Sequence, residues 1–67
     1  MKITSEDRVE IERWLSKGTP DKRTCKELNK ILGRYESAPY SCMCDPEERR
    51  SFWYRFMAWW ELNKENE

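Results

Sequence analysis

Three cysteines are the side chains in this sequence with the most distinctive chemistry. Cys42 and Cys44 lie two residues apart, a spacing at which both thiols can reach one metal ion but are poorly placed to bridge each other. Cys25 could supply a third sulfur and Asp45 a carboxylate, which makes these residues a candidate zinc site. Structural zinc sites usually have four Cys or His ligands, and the sequence contains no His, so this site lacks its usual fourth ligand.

Two other states of these thiols compete with zinc binding. A disulfide from Cys25 to Cys42 or Cys44 requires an oxidising environment. The odd number of cysteines is not typical of a secreted disulfide scaffold, and residues 1–7 lack the apolar stretch of a signal peptide. We therefore predict reduced thiols, with Cys25 as a small core residue, and no required cofactor. Zinc is the alternative.

Catalysis has little support from the remaining residue types. The chain has no His for acid–base work and no glycine-rich phosphate loop. Ser41 and Cys42 have no general base nearby in sequence, and Glu47 and Glu48 are explained as helix-capping residues. We predict that the protein is not an enzyme.

A series of basic residues indicates a second kind of chemistry, contact with phosphates. Lys22, Lys26 and Lys30 recur every four residues and Arg23 lies beside them, so they share one face of a predicted helix. A helix, a short turn and this basic helix are similar in outline to a helix-turn-helix unit. The 13 basic and 13 acidic residues leave no net charge, and the helix has few side chains suited to reading bases. Nucleic-acid binding is therefore the alternative to a solvated helix face.

The aromatic run at residues 52–60 holds six of the nine aromatic residues of the chain. At about 100° per residue, Phe52, Phe56 and Trp60 lie on one helix face, and we predict that they belong to the core. Aromatic and Arg side chains away from such a face are typical of protein interfaces. The predicted partner-binding residues are Trp59, Tyr54 and Leu62, with Arg55 beside them.

Capping residues and helix stops divide the chain into three helices, at about residues 6–17, 20–32 and 46–63. These signals are Thr4 or Ser5, Gly18, Thr19 with Pro20, Gly33, and Asp45 with Pro46. The longest apolar-rich run is nine residues and contains Arg55, so we predict no membrane span.

The predicted fold is all-α, a small three-helix domain of residues 1–67 with an ordered cysteine-containing loop before the last helix. A chain this short buries only about 60% of its unfolded surface, so docking on a larger body would add stability. The predicted core consists of Trp14, Leu15, Leu28, Ile31, Leu32, Phe52, Phe56 and Trp60.

Half of the chain resembles a class of very short accessory proteins encoded by tailed bacteriophages. The resemblance covers residues 27–60: the helix end ELNKILG at 27–33, the SCMC loop at 41–44 and the basic, aromatic closing helix. It implies a protein that decorates the virion or binds a host protein, located in the host cytoplasm or the virion. It assigns no functional residue.

These observations together predict non-enzymatic protein–protein interaction through the aromatic C-terminal helix. The expected partner is a larger protein, either a virion component or a host factor, or further copies of this chain. Two alternatives are a nucleic-acid-binding module that uses Lys22, Arg23, Lys26 and Lys30, and a zinc-stapled domain that uses Cys25, Cys42 and Cys44.

Overall fold

The computed structural model describes residues 3–36 and 43–65, and these residues contain three α-helices. They are α1 (Ser5–Leu15), α2 (Lys22–Leu32) and α3 (Pro46–Asn63). No strand occurs in the described residues, so the all-α, three-helix prediction is confirmed. Most of the predicted ordered loop, residues 37–42, lies outside the described part of the chain.

The helix starts follow from side chains that accept free backbone N–H groups. Thr4 caps α1 by accepting the Asp7 N–H at 3.1 Å, and Asp45 caps α3 with Pro46 as the first helical residue. The predicted start of α2 at Pro20 is wrong. Asp21 is the cap, accepting the Thr24 N–H at 2.8 Å, while the Thr19 hydroxyl donates to Asp21 instead of capping.

The end of α1 comes two residues earlier than predicted, at Leu15 rather than at residue 17. The Gly18 N–H bonds the Leu15 carbonyl at 3.0 Å, which tightens the last turn. Gly18 has a φ of 72°, the left-handed conformation that glycine adopts without strain, so the chain turns there toward α2. The bounds of α3 are those predicted.

The core lies on both sides of α2, which packs against α1 and against α3. It contains all but one of the predicted core residues, since Leu15 is only half-buried at its edge. Two members, Ile3 and Met43, come from outside the helices. The buried apolar residues are Ile3, Ile11, Trp14, Cys25, Leu28, Ile31, Leu32, Met43, Phe52, Phe56, Trp59 and Trp60.

A buried carboxylate ties the start of α1 to the residues that follow α2. Asp7 accepts hydrogen bonds from the Arg34 guanidinium and from the Tyr35 hydroxyl. The Tyr35 oxygen in turn accepts the Thr4 N–H at 3.3 Å. We call these four residues the Asp7 cluster. The centroid of the Tyr35 ring lies 5.8 Å from that of Trp59, so the cluster also contacts α3.

The sequence predicts no membrane span, because its longest apolar-rich run is short and contains an arginine. None of the helices in the described residues is long and apolar enough to cross a membrane.

Candidate functional site

The outer surface of α3 carries two large exposed apolar side chains. Tyr54 is 68% exposed and Leu62 is 79% exposed. Ala58, four residues from each, is also exposed, so the three residues follow one another along the helix at a spacing of about 6 Å. We call Tyr54, Ala58 and Leu62 the α3 stripe. The structure thus places two of the predicted partner-binding residues on one accessible surface.

Trp59 does not belong to that surface, and its predicted role as an exposed anchor is wrong. It is only 8% exposed, with ring centroids of Phe56 at 5.4 Å and Trp60 at 6.5 Å. Trp59 follows Phe52 by seven residues, which returns it to the core-facing side of the helix. Tyr35, from the segment after α2, covers it from outside.

Arg55, the fourth predicted partner-binding residue, flanks the α3 stripe but has an intramolecular partner. Its guanidinium lies 3.4 Å from the Glu36 carboxylate, and both side chains are partly exposed. An ion pair in water contributes roughly 0–1 kcal/mol to stability. Arg55 therefore remains able to exchange Glu36 for a carboxylate on a partner.

The predicted basic residues of α2 are all exposed, but they differ in their pairing. Lys30 lies 3.8 Å from Glu27. Lys22, Arg23 and Lys26 form no ion pair within the part of the chain that the structure describes, and with Glu27 they line a shallow cleft of about 380 Å³. Three of the four predicted cations are therefore available to an external anion.

Two further cations join this surface: Arg13 in the last turn of α1, which also lies 3.9 Å from Glu10, and Lys17 just after α1. Around the buried Trp14 ring lie Lys17 Nζ at 4.7 Å, Arg13 Cζ at 5.7 Å and Arg23 Cζ at 5.9 Å from the centroid. The sequence reasoning missed Arg13 and Lys17 because it treated α2 alone. Their spacing of four residues was the available signal. We call Arg13, Lys17, Lys22, Arg23 and Lys26 the basic patch.

Cys25 is a buried core thiol. Its S–H points to the Arg49 carbonyl at 3.8 Å. Burial, with the charge of Asp21, raises the pKa of the Cys25 thiol to about 11, against the opposing charge of Arg49. A metal ligand must be a thiolate, and the surroundings of Cys25 disfavour that form.

The structure describes two of the three cysteines predicted as zinc ligands. Cys44 is exposed, whereas Cys42 lies outside the described residues. Within residues 3–36 and 43–65, no group of three or more His, Cys, Asp or Glu side chains could hold a metal ion. The zinc site of Cys25, Cys42 and Cys44 stays a prediction. Cys25 is a free thiol.

The Cys25 thiol should make the free energy of unfolding depend on pH in the alkaline range. Its ordinary pKa is 9.0, and in the folded protein the pKa is about 11. Between these values the unfolded chain releases a proton that the folded protein retains, so the free energy of unfolding should fall as the pH rises from about 9 to about 11. Urea denaturation at several pH values measures this fall. The Cys25→Ala variant lacks the thiol, so its free energy of unfolding should fall less over this pH range. Equal falls in both proteins would contradict the prediction.

Comparison with known proteins returned no match: no protein-family model, no curated protein and no solved structure is significantly similar to this chain. The α3 stripe and the basic patch are therefore interpreted from their own geometry. One offers apolar side chains on a helix surface. The other offers a cluster of cations from α2 and the end of α1, and all of them except Arg13 lack an ion-pair partner in the described residues.

Proposed function

We propose that this chain is a non-enzymatic protein–protein interaction module whose α3 stripe docks into an apolar groove on a larger protein. One observation carries this proposal: Tyr54 and Leu62 are the most exposed large apolar side chains in the described residues, and they lie on the same helix surface. A helix that places apolar residues at such intervals in a groove is a recurring mode of recognition. Arg55 and Glu61 beside them supply polar contacts that fix the register.

The size of the stripe favours a concave partner over a second copy of this chain. A stable interface buries about 800 Å² on each partner. One aromatic side chain supplies roughly 150–250 Å², so the three residues of the stripe supply only part of that area. A groove covers the flanks of a helix as well as its ridge, and therefore reaches the required area. Two convex helices paired along this stripe would not.

The phage setting is a further part of the proposal. It rests on the resemblance of residues 27–60, which favours a virion component or a host protein as the larger partner. In both cases docking would stabilise a chain whose own core is small.

Site-directed photo-crosslinking tests the proposal. A photoreactive phenylalanine analogue at position 54 should give one discrete adduct in cells that naturally produce this chain. The same analogue at position 9 is the matched control, because Val9 is 63% exposed but lies on α1. Adding Leu62→Gln to the position-54 protein should abolish the adduct while changing the free energy of unfolding by less than about 0.5 kcal/mol.

Three results would contradict the proposal. Equal adducts from positions 54 and 9 would show non-specific contact. No adduct at position 54 would remove the α3 stripe as an interface. An adduct of twice the chain's own mass would show that the occupant is a second copy rather than a larger protein.

A further inference from the structure

The charges of this neutral chain are unevenly distributed. Residues 13–30 contain six basic residues and only two acidic ones, Asp21 and Glu27. The preceding residues 3–12 contain four acidic residues and one basic residue, Arg8. A net charge of zero therefore hides a local excess of positive charge, which spans the end of α1 and the whole of α2.

The fold concentrates this excess instead of dispersing it. Three cations lie within 6 Å of the centroid of one indole ring, that of Trp14. They come from the last turn of α1, the residues just after it and the first turn of α2. The described residues include no ion-pair partner for Lys17, Lys22, Arg23 or Lys26. Like charges brought this close repel one another. Glu10, 3.9 Å from Arg13, and Asp21, on which the Lys17 charge acts, offset part of this repulsion, and an external anion would offset more of it.

The first turn of α2 adds a second unfavourable term. Helix N-termini favour acidic residues and disfavour basic ones. The first turns of α1 and α3 follow this rule with Glu6 and Asp7, and with Glu47 and Glu48. The first turn of α2 has no acidic residue and instead holds Lys22 and Arg23. The Asp21 cap is the negative charge at this helix end, and it stands against two cations. Functional surfaces are where such local rules are expected to be broken.

We propose that the basic patch binds the phosphate backbone of double-stranded nucleic acid without reading its sequence. Lys22 and Lys26 lie one helical turn apart, about 6 Å along the axis, and line the cleft with Arg23. A phosphate backbone is a regular line of negative charges that such a row of cations can follow. This binding surface lies on α2 and α1, and is independent of the α3 stripe.

The composition of the exposed face of α2 argues for phosphate contact rather than base reading. Its exposed residues are all Lys or Arg, which bind the phosphates of any sequence, whereas the amide of Asn29 and the hydroxyl of Thr24, which could add further base contacts, are buried. The same face has no exposed apolar side chain to insert into a lipid surface, which favours nucleic acid over an anionic membrane.

Fluorescence anisotropy with short DNA duplexes of two unrelated sequences tests the proposal. The protein should bind both duplexes equally. Its binding constant should fall between about 50 and 200 mM salt, with a log–log slope of roughly −4 for about four phosphate contacts. Lys22→Glu with Arg23→Glu should weaken binding by at least about tenfold and reduce the slope by about 2. The control, Arg50→Glu with Lys64→Glu, changes the net charge by the same amount on α3 and at its C-terminal cap, and should bind much more tightly than the patch variant.

Thermal unfolding separates loss of binding from loss of structure. Glu at positions 22 and 23 suits the helix N-terminus, so the patch variant should unfold at a higher temperature than the original protein while binding DNA more weakly. Wild-type binding by this variant would overturn the proposal, as would salt-independent binding or preference for one sequence. Stronger binding to phosphatidylserine vesicles, lost in the same variant, would show a membrane site instead. Leu62→Gln should leave DNA binding unchanged, which keeps this test separate from that of the α3 stripe.

Discussion

Replacing Trp59 by alanine is expected to lower the free energy of unfolding by about 3–5 kcal/mol. The indole is buried among Phe56, Trp60 and Tyr35, with ring centroids 5.4–6.5 Å apart. Its removal leaves a cavity between α3 and the segment after α2 that neighbouring rings cannot fill without leaving their own contacts. Because so small a domain has little stability in excess, a large fraction of Trp59→Ala molecules should be unfolded.

Two matched variants identify the cause of that loss. Trp59→Phe keeps an aromatic ring in the site and removes the indole N–H, which has no hydrogen-bond partner in the described residues, so it should cost far less than alanine. Tyr54→Ala removes an exposed ring from the same helix and should change stability by less than about 0.5 kcal/mol. Urea denaturation followed by far-ultraviolet circular dichroism measures all three. A Trp59→Ala protein as stable as Tyr54→Ala would show that the indole is not part of the core.

Trp59 also shows where local sequence patterns stop being informative. The period of α3 separates Phe52 and Phe56 from Tyr54 correctly, because that separation depends only on the geometry of one helix. Trp59 lies at the boundary of the apolar face, and its burial depends on Tyr35, which is 24 residues away. The seven-residue spacing from Phe52 indicates that Trp59 faces the core, but no pattern within α3 reveals the cover that Tyr35 supplies.

The helix bounds illustrate the same limit at shorter range. Asp45 and Pro46 start α3 where predicted, since the two signals agree and have no local competitor. Before α2, Thr19 and Asp21 are both good caps. Asp21 is the cap because its carboxylate bonds the Thr24 N–H and also accepts the Thr19 hydroxyl. The choice between two adequate caps depends on how the chain leaves Gly18, which the sequence alone does not specify.

The two candidate surfaces were predictable to different degrees. Exposure of Tyr54 and Leu62 follows from the helical period, and the α2 cations follow from their four-residue spacing. The contribution of Arg13 and Lys17 required the packing of α1 on α2 around Trp14. Lys30 pairs with Glu27, which removes it from the cations available to phosphates. Arg55 pairs with Glu36, which reduces its availability to a protein partner.

Replacing Asp7 by alanine is expected to lower the free energy of unfolding by about 2–3 kcal/mol. The buried carboxylate accepts hydrogen bonds from Arg34 and Tyr35, and it also lies in the first turn of α1, where negative charge is favourable. Glu6→Ala is the matched control. It removes an exposed carboxylate from the same turn and should cost only the helix-dipole contribution, about 0.3–1 kcal/mol.

A double-mutant cycle distinguishes the hydrogen bonds of Asp7 from its effect on α1 alone. Tyr35→Phe removes only the hydroxyl, and in an Asp7→Ala background that hydroxyl has already lost its carboxylate acceptor. The two substitutions should therefore cost less together than the sum of their separate costs. Additive costs would show that Asp7 acts only through the helix dipole. Non-additive costs would mean that this carboxylate holds Tyr35 in place over Trp59, and so connects the start of α1 to the aromatic core of α3.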